Sequence, residues 1–169
     1  MKILFEEVNN IQELQEKLDD KDISKEYEVA VIACIFDKDN RIIFQRRGPG
    51  CRDERFKLET IGGRVKESDK NFRLALQREI IEEVGKNAKI DLKEFVIGTY
   101  ATTFDDRYNK EQSWIYLLYR GELISGKLEI SEPEKNLGYE RYKIGEVDEN
   151  ELSNGARELY NFVKEKYGK

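Results

Sequence analysis

The chain has 169 residues, enough for one domain with a real core, and its 30 basic and 35 acidic residues leave a net charge of −5. That balance argues against wide binding of nucleic-acid polymers, which needs a basic face, but a few local cations or bound metal ions can still receive a small anionic substrate. The chain contains no histidine, which excludes Ser-His-Asp and Cys-His catalysis and His-based zinc sites, and leaves oxygen ligands suited to magnesium, manganese or calcium for any metal.

The opening MKILFEEV predicts a short strand. The helix after it is marked by Ile11, Leu14 and Leu18 at helical spacing, with Asn10 and Glu13 as a capping box. Residues 19–25 read as a polar linker. YEVAVIACIF (27–36) is a β-rich buried strand, DKDN turns the chain, and RIIFQRR returns as a second strand. GPGCRDER is a loop, FKLETIGG follows, and the next helix is predicted from about Asn71 to Val84. Beyond it come EFVIGTYATTF, a polar loop DDRYNKEQ and SWIYLLYRGEL. The irregular SEPEKNLG then leads to YERYKIGEV. A last helix carries the apolar stripe Ala156, Leu159, Tyr160, Val163 and Tyr167. Strands outnumber helices and are mixed in order, so the chain reads as an α+β domain with at least one helix packed on a sheet. No run reaches the roughly 18 apolar residues of a membrane span, and the N-terminus lacks a signal-peptide pattern. A cytoplasmic protein without a membrane partner is expected. Cys34 and Cys51 form no CxxC pair. Cys34 fits a core position, and Cys51 lacks the histidine base that a nucleophilic thiol would use.

The segment LALQREIIEEVG holds the most chemistry. Each helical residue advances the chain by about 100°, so Glu79, Glu82 and Glu83 share a face. Like charges at that spacing cost a few tenths of a kcal/mol per pair unless something compensates. Phe72, Leu76, Ile80 and Val84 form an apolar stripe beside them, which docks the helix and leaves the carboxylates at the core's edge. A divalent cation held by hard oxygen ligands is one compensation, and a solvated face balanced by Arg78 is the other. Upstream, the Gly62-Gly63 pair offers backbone N–H groups that can cradle an anion beside such a site.

GGRVKESDKNFRLALQREIIEEVG resembles the signature of the Nudix hydrolases (MutT-like), G-x5-E-x7-R-E-U-x-E-E-x-G-U, where U is aliphatic. Gly63 matches its first glycine, and REIIEEVG matches the core from Arg78 to Gly85. Asp69 stands where the family usually has glutamate, and eight residues rather than seven separate it from Arg78. Asp69 or Glu67 is thus the counterpart of the first glutamate, and Lys86 takes the closing aliphatic position. The resemblance implies an α/β/α sandwich with a mixed sheet between helices, built from a hydrolase domain over 26–169 with a strand-helix extension over 1–25. That extension lies outside the resemblance and could cap the sheet, build a homodimer interface or overhang the pocket.

The resemblance also implies a pyrophosphohydrolase, dependent on Mg²⁺ or Mn²⁺, that cleaves a nucleoside diphosphate linked to another moiety. Carried over by position, Glu79, Glu82, Glu83 and Gly63 serve the metal, with Glu82 and Glu83 in the catalytic centre. Arg78 orients a glutamate through an ion pair. Glu134, four positions before Gly138, is the expected base or further ligand, with Glu132 as rival and Asp105 and Asp106 as more remote candidates. Arg46 or Arg47 (at most one, since strand alternation sends them to opposite faces), Arg64 and Gly62 are the candidate phosphate contacts. Tyr100, Phe104, Tyr108 and Trp114 could stack on a base or simply fill the core. EPEK looks like a segment of triphosphate-cleaving members, which favours a (deoxy)nucleoside triphosphate over ADP-ribose, a dinucleoside polyphosphate or a nucleotide sugar. Two other classes share the fold. Isopentenyl-diphosphate isomerases need a metal-binding histidine that is absent here, and non-catalytic nucleotide sensors usually lose the carboxylates kept here.

Overall fold

The computed structural model describes residues 3–21, 26–105 and 108–168; Asp106 and the side chains of Phe104 and Asp105 lie outside the description. The central strand is β2 (Glu28–Phe36). Val29, Val31, Ala33 and Ile35 face one side of the sheet, while Cys34 and Phe36 face the other. An apolar run of this kind fits a strand covered on both faces. One edge of β2 pairs in parallel with β7 (Lys110–Ser125), from Glu28 opposite Trp114 to Phe36 opposite Glu122. Its other edge is shared: β5 (Ile61–Arg64) takes the first half and β3 (Ile42–Arg47) the end, both antiparallel. With β1 (Ile3–Phe5), β4 (Leu58–Glu59), β6 (Lys89–Asp105) and β8 (Asn136–Tyr142), the described residues form one eight-stranded mixed sheet.

Two apolar layers sandwich this sheet, giving the expected α/β/α arrangement. Leu14 and Leu18 of α1 (Ile11–Asp20) and Phe72, Leu76 and Ile80 of α2 (Phe72–Val84) pack on the Val31 side. Ala156, Leu159, Tyr160 and Val163 of α3 (Asn154–Tyr167) pack on the Phe36 side with Phe44 and Leu118. Tyr167 lies edge-on to Phe36, with ring centroids 5.8 Å apart.

The main departures from the sequence reading concern strand length and one cap. The β6–β7 ribbon is longer than its apolar residues suggest. Pairing continues through Thr103 opposite Gln112 to Asp105 opposite Lys110, so both ends of the expected polar loop are strand. Backbone pairing carries a ribbon past the core without apolar side chains, since an antiparallel ribbon can face water. At the N-terminus Asn10 caps α1 by accepting from Glu13 N–H at 2.9 Å, but Glu13 reaches back to Asn9 N–H rather than to Asn10. α1 extends to Asp20 into the expected linker, and residues 22–25 lie outside the description. Phe5, Val8, Leu14 and Leu18 share one core with Val31 and Leu76, and β1 pairs with β6. Among the described residues no helix is long and apolar enough to cross a membrane.

Candidate active site

Burial fixes the orientation of α2. Asn71 caps it by accepting from Leu74 N–H at 2.8 Å, and Phe72, Ala75, Leu76, Ile80 and Val84 are buried beneath it. That rotation places Glu79 and Glu83 at the margin of the core and Glu82 further out in water. Gly85 ends the helix at φ 86°, where a Cβ would meet the Glu129 carboxylate. The exposed Lys86 follows, so the aliphatic position of the motif has no core to fill here.

Arg78 binds three acids at once. Its Nε and Nη2 donate to the two carboxylate oxygens of Asp69 at 3.0 and 2.8 Å. Nη1 donates to Glu79 at 2.8 Å and to Glu82 at 3.2 Å. The paired guanidinium holds the Asp69 carboxyl below its usual value, although burial opposes that shift. Between Asp69 and Glu67, the structure brings Asp69 to the arginine. Lys66 N–H donates to Asp69 at 2.7 Å in the turn just ahead of the segment with the additional residue, and Glu67 is exposed. An acid one methylene shorter than glutamate thereby reaches the guanidinium.

The two glycines are strand residues of β5 rather than loop residues. Gly62 lies opposite Ile32 and Gly63 opposite Val31. A Cβ on Gly62 would stand 2.2 Å from the Val31 carbonyl oxygen, and one on Gly63 would stand 2.2 Å from Glu79 Oε2. The missing side chains thus seat Glu79 directly over the strand. Glu83 accepts at Oε2 from Gly62 N–H at 3.3 Å and from Gln45 Nε2 at 3.2 Å. Burial pushes its carboxyl up to about 8, and the charges of Glu79 and Glu59 add to that shift, against the two hydrogen bonds.

These carboxylates border a cleft of about 390 Å³. Gln45 and Arg47 of β3, Arg52 of the following loop, and Glu132 and Lys135 of the β7–β8 connection stand among its walls. The two loops are zipped together: Gly48 N–H donates to Lys135 O at 2.8 Å and Gly50 N–H to Glu134 O at 2.7 Å. A Cβ at Gly48 would sit only 2.4 Å from Glu134 O, so glycine makes this approach feasible. Cys51 is buried at the same seam, its thiol donating to Lys135 O at 3.3 Å.

The other sequence candidates fall in different places. Arg46 is held away from the cleft by Glu140 and Glu151, whereas Arg47 lines it and pairs with Asp53 at 2.8 Å. Arg64 is largely exposed and lies 3.5 Å from Glu28, outside the cleft walls. Of the two loop acids, Glu132 lines the cleft, 3.3 Å from Lys135, and the Glu134 side chain does not. Tyr100 is buried and donates to Ser113 at 3.1 Å. Trp114 stacks on Tyr116, with centroids 5.9 Å apart and the planes 11° from parallel. Tyr108 is exposed. Sequence reasoning missed Gln45, although alternation on β3 already puts it on the face of Arg47. It also missed Glu59, whose carboxyl is raised by burial while Ser153, Thr60 and Arg47 oppose the shift.

The donor set suits a hard divalent cation. Its carboxylates offer only oxygens, the glycine cradle fits Glu79, and Glu83 meets only neutral donors. Among the described residues no three acids yet converge as a closed cage, because Arg78 draws Glu79 and Glu82 to itself. An arginine in that position can orient ligand carboxylates from behind.

No curated protein matches the sequence closely enough to count as a relative. Among solved structures, the chain is similar to a MutT NUDIX hydrolase from Burkholderia pseudomallei at 22% identity and TM-score 0.64, covering 82% of this chain and 99% of that one. A MutT protein from Methanosarcina mazei Go1 aligns at 19% identity and TM-score 0.65, over 86% and 99% of the two chains. The NUDIX domain of Shewanella oneidensis NrtR, crystallised with ADP ribose, aligns at 14% identity and TM-score 0.61, over 93% and 98%. These likenesses concern the fold. The sequence profile of the NUDIX domain matches residues 26–163. With that match over most of its length, the chain belongs to the Nudix hydrolases, enzymes that act on phosphoric anhydride bonds.

Proposed function

We propose that the protein is a Mg²⁺- or Mn²⁺-dependent pyrophosphohydrolase that cleaves a nucleoside diphosphate linked to another moiety, in the first place a (deoxy)nucleoside triphosphate. The observation that carries the reading is the placement of Glu79, Glu82 and Glu83 on one wall of a cleft that also holds Arg47, Arg52 and Lys135. Acidic and basic groups facing one cavity suit a polyphosphate bound through both metal and side chains.

Glu79, Glu82 and Glu83, with the Gly63 backbone carbonyl, hold the cation. When bound, it neutralises pyrophosphate charge and lowers the pKa of a bound water. Arg78, anchored by Asp69, orients Glu79 and Glu82. Lys135 and Arg52 receive the phosphate chain, and Arg47 supports them from β3. Glu132 is the cleft acid placed to take a proton from the attacking water. Within the 1–25 extension, the described residues 3–21 cap the sheet of a 26–169 hydrolase domain, a reading supported by the β1–β6 pairing and the shared core.

The test is release of phosphate and pyrophosphate from canonical and oxidised triphosphates, ADP-ribose, dinucleoside polyphosphates and nucleotide sugars, with Mg²⁺ or Mn²⁺, beside Glu83→Gln. Cleavage of triphosphates that collapses in the variant is the expected result. Preference for another class would move the substrate assignment. Silence across the panel from folded, metal-binding protein would point to a nucleotide sensor.

A further inference from the structure

Behind Glu83 lies a chain of side-chain amides that neither the motif nor the phosphate contacts include. Gly138 N–H donates to Asn136 Oδ1 at 2.9 Å. Asn136 Nδ2 donates to Gln45 Oε1 at 3.3 Å. Gln45 Nε2 then donates to Thr60 O at 3.4 Å and to Glu83 Oε2 at 3.2 Å. The chain runs one way because both ends are fixed. A backbone N–H can only donate and a backbone C=O can only accept, so neither amide can turn over without losing a partner at Gly138 or Thr60. Asn136 is 93% buried, its relative exposure being 7%, and leaving a buried polar group unpaired costs about 1–3 kcal/mol.

The relay acts on one oxygen of Glu83. Gly62 N–H reaches the same Oε2 at 3.3 Å, and among the described residues no hydrogen bond reaches Oε1. β8, which begins at Asn136, and the connection before it are also tied to the end of α2. Tyr139 OH and Ser131 OH donate to the Glu83 carbonyl at 3.2 and 3.4 Å.

We propose that Gln45 and Asn136 are positioning residues, an amide relay that anchors Glu83 through Oε2 and turns Oε1 towards the cation site. The inference rests on the reading of Glu83 as a metal ligand. It also couples the β7–β8 connection to the site, since movement where it joins β8 at Asn136 is transmitted to that carboxylate.

Asn136→Asp tests the relay with little change of shape. It keeps the acceptor for Gly138 N–H but sets a second acceptor against Gln45 Oε1. The Gln45 amide must then turn over and present oxygen to Glu83. Gln45→Met removes the donor altogether. Mn²⁺ binding is read from the electron paramagnetic resonance signal of free Mn²⁺, without substrate, alongside thermal unfolding and steady-state kinetics. In both variants the Mn²⁺ dissociation constant is expected to rise about tenfold, the scale for residues that orient metal ligands. The value of kcat at saturating Mn²⁺ should fall by about the same factor, with KM changed less than about threefold. If Asn136→Asp fails to fold, Gln45→Met decides alone. Mn²⁺ affinity and kcat within about twofold of the parent would overturn the relay. So would a raised KM and lowered melting temperature at unchanged Mn²⁺ affinity, the pattern of a loosened loop. A parent protein that takes up no Mn²⁺ would instead remove the metal-site reading on which the relay depends.

Discussion

Two arginines of this molecule each gather carboxylates, and they do so to opposite effect. Arg46 meets Glu140 with a fork at 2.7 and 2.8 Å, Glu151 at 2.7 Å and the Phe56 carbonyl at 2.9 Å. Tyr142 OH donates to Glu140 at 2.6 Å as well. The acids there are met, and the arginine holds the Glu140 carboxyl below its ordinary value. Arg78 spends Nε and Nη2 on Asp69 and divides Nη1 between Glu79 and Glu82. Glu83 is left with two neutral donors and a carboxyl raised to about 8 by burial. A charge cluster with its partners in place ties β3 to β8. One with an acid left over, beside a cleft, takes a further cation on the function proposed above. On that reading a larger surplus of acid over base, rather than the residue types, separates the proposed working cluster from the structural one.

Substitutions that alter the surplus should therefore cost activity, not stability. Glu83→Gln has the largest expected effect. Loss of several kcal/mol of metal-linked stabilisation corresponds to a fall in kcat of about 10³-fold. The metal-free protein should melt at an unchanged or higher temperature, because burial disfavours the ionised form of the carboxyl that is replaced by a neutral amide. A clear drop in melting temperature would show that Glu83 is structural and erase the contrast with Arg46. Gly63→Ala comes next. Its new Cβ would lie 2.2 Å from Glu79 Oε2, the free end of a flexible side chain, so the fold should survive while the ligand moves. Mislocating one group by about 1 Å can cost about 10²-fold in kcat, whereas Gly62→Ala would press on the Val31 backbone and should unfold more readily.

The sequence made the working cluster easier to read than the structural one. Its three glutamates lie within one helix, where a fixed rotation per residue converts spacing into position. The partners of Arg46 lie 94 and 105 positions away, and no local period relates them. Alternation on β3 did separate Arg46 from Arg47, but which of the two faced the cleft depended on the distant Glu140 and Glu151. The choice between Glu132 and Glu134 was hidden for a similar reason. It turns on how the 48–51 loop zips to the 132–135 loop through backbone hydrogen bonds, which side-chain patterns do not encode. The length of the β6–β7 ribbon was underestimated because its outer pairs are polar.

Arg46→Met tests the structural side. It leaves Glu140 and Glu151 without their shared cation and should cost about 2 kcal/mol. For a domain of this size that lowers the melting temperature by roughly 4–8 °C, with kcat/KM within about twofold of the parent because no cleft residue is touched.

Acid titration then sharpens the comparison by its sign. Glu140 has a folded-state pKa below the ordinary 4.5, set by hydrogen bonds from Arg46 and Tyr142 and by the arginine's charge, against the opposing effect of burial. The folded state thus binds the proton less readily than the unfolded chain. The stabilisation is complete above the unfolded value and is lost as pH falls through the folded one. It is reduced by the water that reaches the 33% exposed carboxylate. Denaturant midpoints of the parent and Arg46→Met, measured between about pH 6 and pH 3, should converge as Glu140 takes up its proton. A gap of constant width would mean that Arg46 acts through the packing of its stem and its bond to Phe56 O, not through charge. The Arg46 cluster would then be no ionic counterpart to the one around Arg78.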